Sequence, residues 1–407
     1  MKSPFYKVFL SPQGQDEITQ FIERIKFDDT SDKDSMVEFT ARLRSLELLE
    51  NTKLVRGRTI YFQFGYIGGK MSVVHKGRIS DLDCKYDGAG ITVTVRALDM
   101  GNAMRKVATK KVWQKKTTSQ IAKEIAAKYG LEYEGDDTEK SWDFIPQAGM
   151  SDFAVLQSLV EKEAGGDYLC YVRSGKLHLE KRKTDSDSAL TLTWGVSNTI
   201  ISFVPKERDS TGGSLGTTSV DSFDPDAKTA RAVQKDPSTA DGVTALGDKI
   251  YEYSGETGEL LGVKTPAPVK TVPMPSDDNT EVTNRANHSA KKAGLGQLAA
   301  TLQVEGNPTL RPNLVLTING VARRHIGNWL IKSVSHDISG SGYITNAELV
   351  KNGSKTSGKK ATKKNETIGP DKAKTTQPIA TKVYDQNGNQ VTDPAILAER
   401  NNNLNAG

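Results

Sequence analysis

Residues 4–10, Pro-Phe-Tyr-Lys-Val-Phe-Leu, form a short apolar run that predicts a strand, and 36–48 is apolar and β-branched enough for another. Over Arg58–Gly69, Ile60, Phe62 and Phe64 alternate with Tyr61 and Gln63 before a Gly-Gly step, so period two plus turn chemistry predicts a hairpin. Val73–Ile79 and Ile91–Ala97 follow, with the turn steps Asp87-Gly88 and Ala89-Gly90 between them. This opening region reads as a small antiparallel β-barrel or sandwich.

The period then changes. Thr117–Gly130 places Ile121, Ile125 and Tyr129 at i, i+4 and i+8, which predicts a helix started by Thr118 or Ser119 and ended by Gly130. Ser151–Gly165 repeats the helical pattern with Phe153, Leu156, Leu159 and Val160 inward. Tyr168–Glu180 reads as a hairpin through Ser174-Gly175. Strand patterns return at 190–194, 199–204 and 219–223. Residues 232–280 are Pro-, Gly- and Thr-rich and read as a surface excursion. Residues 281–302 predict a helix, apart from Gly294 and Gly296, and strands are expected at 313–320, 328–337 and 343–350. The expected fold class is mainly β with an α+β insert. Two β-rich regions, 1–108 and 186–352, bracket an α+β region at 109–185, and 353–407 is expected to form a Lys-rich linker and extended C-terminal peptide.

Charge sharpens the last boundary. The chain has 407 residues and a net charge of +5, but 351–374 holds eight lysines against Glu366 and Asp371. Residues 375–407 are slightly acidic, which leaves 1–350 electroneutral, so no nucleic-acid-binding body is indicated. The lysine run has no interleaved aromatics for base stacking and reads as a solvated spacer, disordered when free. Beyond it, Ile379, Val383, Tyr384, Val391, Ile396 and Leu397 restore enough apolar character for a peptide that docks on a partner. No run approaches a membrane span, and the N-terminus lacks the apolar core of a signal peptide.

Candidate chemistry is sparse. The five histidines, 75, 178, 288, 325 and 336, form no zinc-hydrolase spacing. There is no nucleophile elbow and no phosphate-loop motif, and Gly65–Gly69 reads as a hairpin turn. Asp221, Asp224 and Asp226 lack the Gly and distal Glu of a calcium loop and read as surface turn acids. Cys84 and Cys170 read as two buried free thiols rather than a bridge. The enzymatic reading to weigh is a cell-wall hydrolase. It would need paired carboxylates or a Cys/His pair. Glu161 and Glu163 are two apart on a helix and point different ways, whereas Cys170 and His178 could face each other across the hairpin. The preferred reading buries Cys170 as a small hydrophobe. No catalytic, cofactor or metal residue is assigned. A carbohydrate-binding β-protein would show aromatic platforms, but the four tryptophans are scattered.

The order barrel, helix, helix, hairpin, strands ends in Gly306-Asn-Pro-Thr-Leu-Arg-Pro312 and Gly327-Asn-Trp-Leu-Ile-Lys-Ser-Val-Ser-His336. Over about residues 1–352 this resembles the baseplate hub proteins of contractile-tailed phages, the late control protein D family, and is similar to the first part of type VI secretion spike proteins. The resemblance implies two tail-tube-like barrels per subunit in a homotrimer. Six similar barrels then form a ring between a hexameric tail tube and a trimeric spike, with a channel for the tape-measure protein and DNA. It implies a structural, non-enzymatic virion component of the tail baseplate, made in the host cytoplasm. Its partners are the tail tube protein or tube initiator, other baseplate proteins and a spike expected as a separate polypeptide. Pro308 and Pro312 block helix, Trp329, Ile331 and Val334 are expected in a barrel core, and His336 is expected to be a structural hydrogen-bonding residue.

Overall fold

The computed structural model describes residues 3–31, 33–50, 53–88, 90–163, 168–184, 187–195, 200–207, 218–224, 228–235, 246, 251–253, 260–263, 270–273, 278–295, 298–352, 383–384 and 390–391. The first region holds β1 (Pro4–Phe9), β2 (Ile22–Thr30), β3 (Met36–Leu43), one turn of helix α1 (Glu47–Glu50), β4 (Thr59–Tyr66), β5 (His75–Asp87) and β6 (Gly90–Leu98). The insert holds α2 (Gly101–Lys106), β7 (Ala108–Thr117), α3 (Thr118–Lys128), β8 (Glu132–Gly135), β9 (Ser141–Ser151), α4 (Asp152–Val160), β10 (Tyr168–Arg173) and β11 (Lys176–Lys181). The second region follows with β12 (Leu190–Thr193), β13 (Ile200–Glu207), β14 (Thr218–Asp224), β15 (Thr229–Lys235), β16 (Tyr251–Tyr253), β17 (Leu260–Val263), β18 (Lys270–Pro273), α5 (Asn279–Gly294), β19 (Leu298–Glu305), β20 (Val315–Asn319), β21 (Gly327–Ser339) and β22 (Gly342–Lys351). A short pair, β23 (Val383–Tyr384) and β24 (Gln390–Val391), lies beyond. The fold is mainly β, with two antiparallel β-barrel domains around the α+β insert.

One sheet runs through both β regions in the order β1-β4-β5-β6-β3-β2-β21-β22-β19-β13, with β20 on β21 and β12 on β20. The joint is β2 on β21, antiparallel from Arg24 opposite Ser339 to Thr30 opposite Ser333. The register of β21 against β22 slips between Ile331 and Ser333, a bulge that bends the long strand. Its two halves consequently serve different cores. Ile338, with Tyr343 from β22, joins Val8, Ile25, Phe39, Ile60, Phe62, Phe64, Val93 and Val95 in the first. Trp329, Ile331 and Val334 join Leu302, Val304, Leu316, Ile318 and Leu349 in the second. The expected burial of those three residues is borne out.

Local chemistry sets the insert. The N-cap of α3 is Thr117, not Thr118 or Ser119: its hydroxyl accepts from the Gln120 N–H, and the Gln120 side chain accepts from the Thr117 N–H. Thr118 is turned inward, where it accepts from Trp142 Nε1 at 2.9 Å and donates to Glu163. Gly130, at φ +65°, ends the helix as expected. Ser174 and Gly175 both take positive φ, 51° and 82°, the two-residue turn that suits a twisted hairpin.

Four expectations need correction. Strand β3 stops at Leu43, and Glu47–Glu50 is helical. The helix expected over 281–302 ends at Gly294, and Leu298–Glu305 is a strand. Ala300, Leu302 and Val304 point inward at period two, and burial on a sheet face overrides the helix-forming Ala-Ala pair. The 232–280 excursion contains strands: β16 pairs β17, and β18 lies parallel to β14, on which α5 packs through Val220, Val282 and Ala286. Cys84 is exposed, on the part of β5 that runs past its core, while Cys170 is buried; both are free.

Candidate functional site

The insert meets the first barrel through its hairpin tip. Arg173, at the end of β10, is buried against Asp29 of β2, with Nε 3.1 Å from Oδ2. Ser35 donates to the other Asp29 oxygen at 3.1 Å. The guanidinium also lies over the Tyr171 ring, 4.8 Å from its centroid. Burial pulls the Arg173 pKa down, but Asp29, Tyr171 and Glu180 together outweigh this and the net shift is upward. Beside it, Asp99 accepts from the backbone N–H groups of Ser35 and Gly101, both at 2.7 Å. Burial nevertheless pushes its carboxyl up to about 7. Arg173 Nη2 has no hydrogen-bond partner among the described residues, and Arg173 is one of the residues lining a cavity of about 10 Å³, the size of a single water.

Two histidines extend this cluster into an aromatic core. The His75 ring packs 4.5 Å from Phe27 and 5.1 Å from Phe62, and its Nδ1 meets Ser174 Oγ at 3.2 Å. His336 Nε2 lies 3.2 Å from the Leu310 carbonyl, which can only accept, so Nε2 carries the proton and Nδ1 accepts from Tyr343 Oη at 2.8 Å. Burial lowers both imidazoles to about 3, with the Arg173 charge adding to the shift at His75. His336 is thus a structural hydrogen-bonding residue, buried mid-strand rather than at a strand end. The Gly-x-Pro-x-Leu-x-Pro segment acquires a physical role here. Gly306 donates to the Tyr343 carbonyl and accepts from Tyr66 Oη, both at 2.9 Å, and a Cβ at this glycine would collide with the Tyr343 ring. Leu310 delivers the carbonyl that His336 needs.

The rival catalytic pair does not assemble. Cys170 stands opposite Leu179 and His178 opposite Tyr171, so the two side chains lie on opposite faces of the hairpin. His178 stacks on Tyr171 at 4.8 Å, and burial raises the Cys170 thiol to about 12, far from a thiolate. Glu163 is buried against Thr118, and Glu161 pairs with Arg285. Asp221 accepts from Ser219; Asp226 lies outside the described residues. No group of three or more His, Cys, Asp or Glu suited to a metal occurs among the described residues, nor any helix long and apolar enough to cross a membrane.

Exposed apolar positions mark surfaces that sequence reasoning missed. Strands β1 and β13 end the long sheet path, and β13 exposes Ile201 and Val204. The β7–β9 ribbon turns Trp113 and Trp142 inward but leaves Val112 and Phe144 exposed. Period-two alternation was the available signal, but it was diluted by the lysines of β7. Of the predicted partner-binding residues, Val383, Tyr384 and Val391 belong to the paired strands β23 and β24. Ile379, Ile396 and Leu397 lie outside the described residues.

A family model described as the Alg8 N-terminal domain matches residues 33–340. No curated protein matches the chain. Among solved structures, the chain is similar to a tail protein from Neisseria meningitidis MC58 (14% identity, TM-score 0.62, covering 86% of this chain and 97% of that one). It is also similar to the 43 kDa tail protein of prophage MuSo2 from Shewanella oneidensis (12%, 0.59, 86% and 98%). A Francisella PdpA–VgrG complex contains a third similar chain (10%, 0.50, 86% and 53%). These likenesses show a phage tail-protein fold.

Proposed function

The chain belongs to the Alg8 N-terminal domain family; on the separate ground of its fold we propose that it is a structural hub at the tip of a phage-like contractile tail, akin to the late control protein D proteins. Three copies form a pseudo-sixfold ring that joins a sixfold tail tube to a trimeric spike. The ring leaves a passage for the tape-measure protein and then DNA. The observation that carries this reading is the single sheet that threads two β cores through β2 and β21, in a fold matched over 97% of a tail protein's length. Two tube-like barrels fixed in one subunit are what a threefold ring requires to present six similar faces. The role is mechanical rather than enzymatic. A body without net charge suits a conduit, because phosphate attraction would retard DNA.

Native mass measurement and negative-stain imaging test the assignment. The expected particle has three times the mass of the 44.3 kDa chain and threefold views, alone or with a spike. A monomer that binds neither tube nor spike would overturn it. Clearing of bacterial cell wall by the wild-type chain but not by Cys170→Ala would overturn the non-enzymatic part.

A further inference from the structure

A cleft of about 230 Å³ lies where α5, the insert and the second barrel meet. Its floor is mainly apolar: Leu169, Leu295, Leu330 and Ile331 are buried there and Val350 is half-buried, beside the buried polar residues Ser31 and Asn313. Leu246 of the excursion packs with Leu295, Leu330 and Val350 on one side. Three cationic residues line it, Arg182, Lys292 and Lys332, and among the described residues no carboxylate does. The nearby Glu180 is occupied by Tyr171, Asn313 and Lys183. Lys292 and Lys332 are exposed and take part in no ion pair among the described residues. The volume suits a pair of aliphatic side chains rather than a larger ligand. An apolar floor under a cationic rim selects a segment that is aliphatic in the middle and acidic at its flanks.

The chain carries such a segment. Asp393-Pro-Ala-Ile-Leu-Ala-Glu399 has two adjacent aliphatic residues between two carboxylates and no base. Pro394 limits the freedom it loses on binding. The tether begins at the cleft, because Val350 lines it and Asn352 follows. Residues 353–392 can span at most roughly 140 Å, and a tether of this kind holds the segment at an effective concentration on the order of millimolar, enough to fill a weak site. The lysines of 355–374 are repelled by the same rim that attracts Asp393 and Glu399. We propose that residues 393–399 dock in this cleft of their own chain, with Ile396 and Leu397 on the floor and Asp393 and Glu399 toward Lys292, Lys332 and Arg182. The proposal goes beyond the hub reading and does not depend on it.

Two measurements on the full chain test it. Zero-length carbodiimide coupling joins a lysine amine to a carboxylate with loss of water, the carbodiimide taking up that water as a urea. The expected product links Lys292 or Lys332 to Asp393 or Glu399 and runs at the mass of one chain under denaturing conditions. The same product at twice that mass would place the segment in a neighbouring copy and overturn the assignment, as would the absence of these links. Amide hydrogen exchange supplies the second readout. Residues 393–399 are expected to be protected in the wild type, and Lys292→Glu with Lys332→Glu should reduce that protection roughly tenfold, both being exposed positions outside the cores. Equal exchange in the two proteins would overturn the proposal.

Discussion

The two β cores share a sheet but are filled with different chemistry. The first packs Phe27, Phe62 and Phe64 around His75 and His336 and borders the Arg173–Asp29 pair. The second is aliphatic around one large ring, Trp329, with Phe203 at its edge. An aliphatic core depends on filling space, whereas a core with buried titratable groups depends also on keeping each of them satisfied and in one charge state. The first barrel receives the insert, and its polar groups fix where the hairpin tip lands. The second meets the insert at its rim, through Asn313 and Glu180, and among the described residues no buried ion pair enters its aliphatic core.

The sharpest break in this comparison is Trp329→Ala, expected to cost about 3–5 kcal/mol because a fully buried ring leaves a cavity that the sheet cannot close. Urea denaturation measures the total, and hydrogen exchange should show the loss first in β19, β20 and β22. Asp29→Ala should cost about 3 kcal/mol by stranding a buried guanidinium, somewhat cushioned by the Tyr171 ring. The double change with Arg173→Met should recover most of that; a double mutant as unstable as Asp29→Ala would mean that the ion pair is not the source of the loss.

Acid should separate the cores next. His75 and His336 take up protons near 6.5 when unfolded and only near 3 when folded, so the unfolded chain binds more protons between these values. Their effect on stability is absent above 6.5 and grows unfavourable as pH falls toward 3. Asp99 acts oppositely: its carboxyl is held protonated up to about 7, which favours the fold below 3.8 and fades as pH rises through 7. Two imidazoles outweigh one carboxyl, so stability should fall by roughly 2–3 kcal/mol between pH 6 and pH 4. Hydrogen-exchange protection factors, corrected for the slower intrinsic exchange at pH 4, should fall in β4 and β5 more than in β19 and β20, and His336→Gln should flatten the urea-measured slope. The smallest effect lies outside both cores. Thr117→Ala removes a reciprocal cap and should cost about 1 kcal/mol, with faster exchange confined to the start of α3.

Periodicity revealed the elements whose burial is one-sided. The alternation of Ile60, Phe62 and Phe64 and the helical spacing of Ile121 and Ile125 each reflect one face against a core. It failed at Leu298–Glu305, where Ala-Ala favours helix locally and only the distant partners β22 and β13 impose a strand. The hydrogen bonds of His336 were legible as a type but not as partners, since Leu310 and Tyr343 reach it only after the sheet is wound. The Arg173–Asp29 pair was invisible, because a lone arginine at a hairpin end and an aspartate in a strand 144 residues away carry no shared local pattern. The cationic cleft was hidden for the same reason: Arg182, Lys292 and Lys332 are neighbours only in space.

The pairing of β2 with β21 also sets a timetable for synthesis. Arg24–Thr30 emerges from the ribosome early, yet its partner Ser333–Ser339 follows only after some 300 residues, separations of 313 residues being bridged by the Arg24–Asp337 ion pair. At about 5–20 residues per second that interval is roughly 15–60 seconds. Throughout it, the half-finished first barrel presents an unpaired strand edge to its surroundings, the kind of edge on which other chains aggregate. A nascent chain of this protein therefore needs either shelter or speed until its last strands arrive.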